Sequence, residues 1–187
     1  LLVLDALGSA NAEKAAAKFE SLGSDLYNPF NLFVADQKDA YVVVCADGEL
    51  RVDRLEPGVH VIGNAEPNDL SHAKTRRQLA GVETLAGSFD QAAGKGVLAS
   101  LGELCQSHEG VTEGERGPLG ATCVHHEGYG TRSSTLLKLC EDAEESELHY
   151  ADGAPCAHSY ENLTPLLHEL SRTASYNGEG STVRNAS

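Results

Sequence analysis

Tryptophan and methionine are both absent from the 187 residues, and only 5% of them are aromatic. The chain is still long enough for one domain with a real core, which must be built mostly from Leu, Val and Ala. The lack of methionine extends to the first position. The chain opens on the apolar run LLVLDALGS, residues 1–9, without a polar lead-in, and so reads as missing its N-terminus. Positive charge is scarce, with 14 Lys and Arg against 28 Asp and Glu and a formal net charge of −14. Nucleic acid is excluded as a partner because phosphate binding needs a basic face, and anionic membrane surfaces are disfavoured for the same reason. No apolar run approaches the length of a membrane span. Disulfide patterning is lacking too. Five cysteines at scattered spacings leave one over, which implies a reducing, cytoplasmic compartment. Without a secretory signal, the sequons at 162–164 and 185–187 are chance matches.

What is present is periodic. Residues 11–22 predict a helix capped by Asn11, with Ala12, Ala15, Ala16, Phe19 and Leu22 on one stripe. Residues 31–36, 41–46, 49–55 and 59–64 predict an antiparallel meander, turning at Asp47-Gly48 and Pro57-Gly58. Their continuous apolar runs predict strands covered on both faces. Helices follow over 70–86 and 95–108, then a polar loop over 109–118. Strands resume at 119–125, 131–139 and 147–152. The five carboxylates within 141–147 read as a solvated hairpin tip, since the run lacks the alternating oxygens and turn glycine of a calcium loop. A last helix starts at Thr164-Pro165, and from Arg172 a polar tail reads as disordered. Strands, helices and strands again suggest stacked sheets with helices outside, a layered α+β domain over residues 1–171.

Candidate chemistry is sparse. Cys105-x-x-His108 and Cys123-x-His125-His126 offer zinc-type ligands. Yet Cys105 falls on the apolar stripe of its helix, and Cys123 alternates as an inward strand residue. The expectation is therefore core cysteines with incidental histidines, and no metal. No G-x-S-x-G elbow occurs, and GYG at 128–130 is too short for a dinucleotide loop. Ser133 and Ser134 lack a nearby base. Asn64 ends an apolar run before a loop, where an amide can donate to an oxyanion or simply cap the loop.

Three segments in order, YNPFNL at 27–32, LEPGVHVIGNA at 55–65 and YGTRSSTLL at 129–137, resemble the NRDE family, which contains the transport and Golgi organisation proteins. The likeness spans most of residues 1–170, and Asp152-Gly153-x-Pro155-Cys156 resembles the version in bacterial, planctomycete-like members. That resemblance implies a four-layer αββα sandwich of the N-terminal nucleophile hydrolase type, incomplete at its N-terminus. It implies cysteine-dependent hydrolysis of a carbon–nitrogen amide bond in a small acyl or peptide substrate, without a cofactor. By resemblance Arg132 sits beside the thiolate and Asn64 serves the oxyanion, both at one site. Ser133, Ser134 and Lys74 border the substrate. The family's opening cysteine and Asn-Arg-Asp-Glu signature are absent and would lie upstream of Leu1. After Asn64 the chain reads EPNDLSHAK, not the family's Asp-Thr-Pro-Trp-Pro-Lys, and only Lys74 matches. The alternative that the resemblance leaves open is a non-catalytic cytoplasmic carrier or trafficking protein for an acyl chain or haem.

Overall fold

In a computed structural model, residues 2–86, 96–110 and 117–178 are described. The architecture is mixed α+β, with small antiparallel sheets and helices packed on them. The chain divides into two compact units, residues 1–83 and 84–187.

The first unit begins with α1 (Leu2–Leu7) and α2 (Ala12–Phe19). Asn11 caps α2 as expected, its side-chain oxygen accepting from the Lys14 amide at 2.9 Å. Ala12, Ala15, Ala16 and Phe19 are buried, and Phe19 keeps only 2% of its surface. Burying a side chain of that size contributes about 1.5–3 kcal/mol. The helix packs on β2 of a three-stranded sheet ordered β1 (Phe30–Ala35), β2 (Ala40–Ala46), β3 (Glu49–Leu55). Four consecutive residues of β2, Val42 to Cys45, are buried, so both faces of that central strand are covered as expected, whereas the edge strands β1 and β3 have no fully buried residue and are not covered on both faces. Asp47 and Gly48 close the β2–β3 hairpin with φ of 52° and 80°, the left-handed pair that a two-residue turn needs.

The meander stops at three strands. Residues 59–64, expected as a fourth, take no sheet partner among the described residues. Asn68 consumes the hydrogen bonds that a neighbour would need. Its side-chain oxygen accepts from the Val61 amide at 2.8 Å, and its own amide donates to the Val61 carbonyl at 2.9 Å. The segment is therefore the arm of a loop. The helix expected over 70–86 is α3 (Ala73–Ala86).

The second unit contains α4 (Val97–Gln106), the hairpin of β4 (His125–His126) with β5 (Tyr129–Gly130), and a sheet ordered β6 (Ser134–Lys138), β7 (Glu147–Ala151), β8 (Glu161–Asn162). Helix α4 packs on β6, with Leu98 and Gly102 buried. The strand expected over 119–125 is instead a short 3₁₀ turn at Gly117–Gly120 followed by loop. The reason is again where the backbone bonds go: Cys123 donates its amide to the Ser107 carbonyl at 2.9 Å, off the end of α4. The acidic run does lie at the β6–β7 connection. It is also tied down, because Glu144 pairs with His168 and Arg172 of α5 (Thr164–Gly178). Residues 172–178, read from composition as tail, are helical, and 179–187 of that tail lie outside the described residues.

Candidate functional site

Asn64 stands in the first unit, in the loop that leaves β3. Asn31 of β1 brackets it, donating one side-chain N–H to the Gly63 carbonyl and another to the Ala65 carbonyl, each at 2.7 Å. Asn68 holds the other arm. It sits at φ 58°, and its amide nitrogen meets His60 Nδ1 at 2.9 Å. Asn64 itself is exposed, and its side chain makes no hydrogen bond among the described residues. Loop capping is thus done by Asn31 and Asn68, and the Asn64 amide is left to solvent or a ligand. Lys74 is half-buried at the start of α3. Burial lowers its pKa first, and the charge of Arg77 lowers it further.

Arg132 stands in the second unit, between β5 and β6. It is exposed, and among the described residues it makes no hydrogen bond or ion pair. Its neighbours explain the small and hydroxyl residues around it. A Cβ on Gly130 would lie 2.9 Å from the Val124 carbonyl oxygen, so this position has no room for a side chain. Thr131 locks the hairpin: its hydroxyl accepts from the Val124 amide and its amide donates to the Val124 carbonyl, both at 2.9 Å. Ser133 is exposed, while Ser134 is half-buried with its hydroxyl 2.6 Å from that of Tyr160.

The same hairpin carries a second constellation. His108, Cys123, His125 and Cys156 bring one ligand atom each into a group whose members all lie within 4.8 Å of one another. Cys123 Sγ is 3.5 Å from Cys156 Sγ and 3.6 Å from His125 Nε2, and Cys156 Sγ is 3.0 Å from His125 Nε2. The rings of His108 and His125 meet edge to face with centroids 5.2 Å apart. Cys123 is buried, and the other three are exposed. Desolvation of the sulfur among these neighbours pushes the Cys156 thiol up, and its contact with Cys123 adds to that. A nucleophilic cysteine needs the opposite shift.

Spacing in the sequence groups these ligands differently from the fold. Cys105 is half-buried on α4 and reaches the Tyr160 hydroxyl, while His126 turns its Nδ1 to the Glu127 carbonyl at 3.0 Å. Cys156 stands 31 residues from His125, too far along the chain for spacing to join the two. The local signal for it is the turn Gly153-Ala154-Pro155. Pro155 is buried, and Gly153 adopts φ 139° with the His158 ring against it.

Residues 1–150 match the family described as Transport and Golgi organisation 2, or TANGO2. The chain belongs to this family. The match includes Asn64, Lys74, Arg132, Ser133 and Ser134 of this TANGO2-family protein, together with His108, Cys123 and His125. Cys156 lies beyond it. No curated protein and no solved structure matches the chain. Among the described residues no helix is long and apolar enough to cross a membrane.

Proposed function

We propose that this TANGO2-family protein serves cysteine-dependent hydrolysis of a carbon–nitrogen amide bond in a small acyl or peptide substrate. The observation that carries it is Arg132: a guanidinium held out at the head of β6, exposed, and unpaired among the described residues. A free guanidinium favours a neighbouring thiolate over the thiol and so activates a nucleophile. Asn64, whose amide is likewise unengaged among the described residues, takes the oxyanion role, and Ser133, Ser134 and Lys74 contact substrate. The helix-covered antiparallel sheets support the four-layer αββα sandwich of this enzyme class as part of the same proposal.

The nucleophile in such enzymes is a cysteine at the first position. None of the five cysteines at 45, 105, 123, 140 and 156 takes the nucleophile's part in this reading. The test is an amidase screen with N-acyl amides on the chain led by the family's cysteine segment. Turnover should appear, stop on thiol alkylation, and fall by roughly 10²–10³ in Asn64→Ala. Arg132→Ala should lower it as well, and a double-mutant cycle reads whether the two act together. Absence of turnover would remove this function, and unchanged rates in both variants would remove Asn64 and Arg132 from it. The carrier reading draws on an open cavity of about 580 Å³ in the first unit, where Phe33, Leu55 and Ile62 share the lining with Asp36, Lys38, Asp39, Arg54 and Glu56. It would gain if a fatty acid or haem bound there without turnover.

A further inference from the structure

We propose that His108, Cys123, His125 and Cys156 form a Cys₂His₂ site for zinc, or for a transition metal of like softness. The site is independent of the amidase reading, because none of its four residues carries a role there.

Each part of the cluster has a simpler explanation, but the whole does not. Two thiols 3.5 Å apart could be a disulfide waiting to form. One thiol 3.0 Å from an imidazole could be a nucleophile with its base. Neither accounts for a second imidazole converging on the same point. A tetrahedral zinc with two sulfur and two nitrogen ligands needs edges of about 3.8 Å between sulfurs, about 3.5 Å between sulfur and nitrogen, and about 3.3 Å between nitrogens. The cluster shows 3.5 Å between sulfurs, 3.0 and 3.6 Å from sulfur to nitrogen, and at most 4.8 Å for any pair, His108 included. The three edges among Cys123, His125 and Cys156 fall within about 0.5 Å of these values, and His108, whose side chain is exposed, brings its ligand atom within 4.8 Å of each.

The backbone supports these positions. The Cys123 amide bonds to Ser107, so the peptide carrying one ligand is fastened beside His108. The β4–β5 hairpin, locked at Val124 by Thr131, fixes His125 two residues on. The turn at Gly153–Pro155 presents Cys156 from the end of β7. Three separate segments thus meet at one point. Four protein ligands complete a tetrahedron and leave no position for water, which marks a structural site. On binding, the two thiols release their protons to solvent and both imidazoles bind as neutral rings. A cavity of about 230 Å³ lined by His108, Pro118, Cys123 and His125 gives the ion a route in.

The test uses the full chain, stripped with chelator under reductant and titrated with zinc, and in parallel with cobalt(II). One zinc per chain is expected. Cobalt should give intense visible bands of tetrahedral geometry and near-ultraviolet thiolate-to-cobalt charge transfer. Cys156→Ser and His108→Ala change exposed residues, so the fold should survive. Each should weaken binding by more than the roughly 10–100-fold that loss of a mere supporting group costs. Cys105→Ser and His126→Ala should bind as the parent does. No uptake by the reduced protein would overturn the proposal. So would binding that Cys156→Ser leaves unchanged, or octahedral cobalt spectra without charge transfer.

Discussion

Among the described residues, arginines that are paired and one that is not can do different things. Arg51 reaches Asp53 and Glu66, and Arg54 reaches Asp39, so their charges are satisfied by carboxylates in or beside the sheet. Arg132 has no such partner among the described residues. Removing it should leave the melting curve within the scatter of surface substitutions, about 0.5 kcal/mol, while lowering any amidase rate. A marked loss of stability would make Arg132 structural. Sequence could mark Arg132 and Asn64 as polar residues amid apolar runs. It could not tell which polar residue holds a loop and which is left free, because that depends on partners distant in the chain. Asn31 and Asn68 do the holding around Asn64. The glycines make a sharper case. Gly153→Ala forces a Cβ into a left-handed turn beneath His158, and Gly130→Ala drives one against a backbone carbonyl. Each should cost about 1–3 kcal/mol by thermal or denaturant unfolding. Gly153→Ala should also weaken zinc binding, since the same turn presents Cys156. Parent-like stability in both would show that the backbone yields there.

At the scale of elements, most helices were legible, while α1, the last turns of α5 and some strands were not. The α2 stripe, its cap and the Asp47-Gly48 hairpin follow from local chemistry and stand where they were expected, except that α2 ends at Phe19 and leaves Leu22 outside it. An apolar run says that a segment is extended or buried, but not whether a neighbour is free to pair. Residues 59–64 and 119–125 failed for that reason: Asn68 took the Val61 amide and Ser107 took that of Cys123. A carboxylate joins the well-formed elements of the first unit. Asp36 accepts from the α2 amide of Ala12 at 2.8 Å and from Lys38 and Asp39 in the β1–β2 turn at 2.8 and 3.0 Å. These backbone donors, Ala12 first, hold its carboxyl below the usual carboxylate pKa. A folded value below the unfolded one means that its stabilisation is fully present above the unfolded pKa, about 3.9, and is lost as pH falls through the folded value. Asp36→Asn, with one oxygen in place of two, should therefore melt a few degrees lower at neutral pH. The gap should close as pH falls below about 4, read by circular dichroism. A gap that persists unchanged in acid would mean that shape, not charge, ties α2 to the turn.

The whole molecule is two compact units, and each has buried residues of its own. Phe19 and Val42 to Cys45 serve the first; Leu98, Ala121, Cys123, Val124, Leu136 and Ala151 serve the second. All four proposed zinc ligands belong to the second unit, which gives the metal a signature that no single substitution could supply. A ligand that binds only the folded state stabilises it by about 2.7 kcal/mol at a free concentration of 100 Kd. That energy slows exchange by up to about 100-fold, but only at amides whose opening breaks the site. A net charge of −14 favours the approach of a dication, so micromolar zinc should suffice to load the protein. Hydrogen exchange read by mass spectrometry, with and without zinc, should show slowing in peptides that include Ser107, Cys123 to Thr131 and Gly153 to Cys156. Peptides from α2, β2 and β3 act as the internal control and should change far less. In Cys156→Ser the zinc effect should vanish from all three second-unit segments together, because loss of one ligand opens the joint that the others share. Slowing of equal size across both units would instead point to zinc scattered on an acidic surface, and the cluster would then be no more than neighbouring side chains.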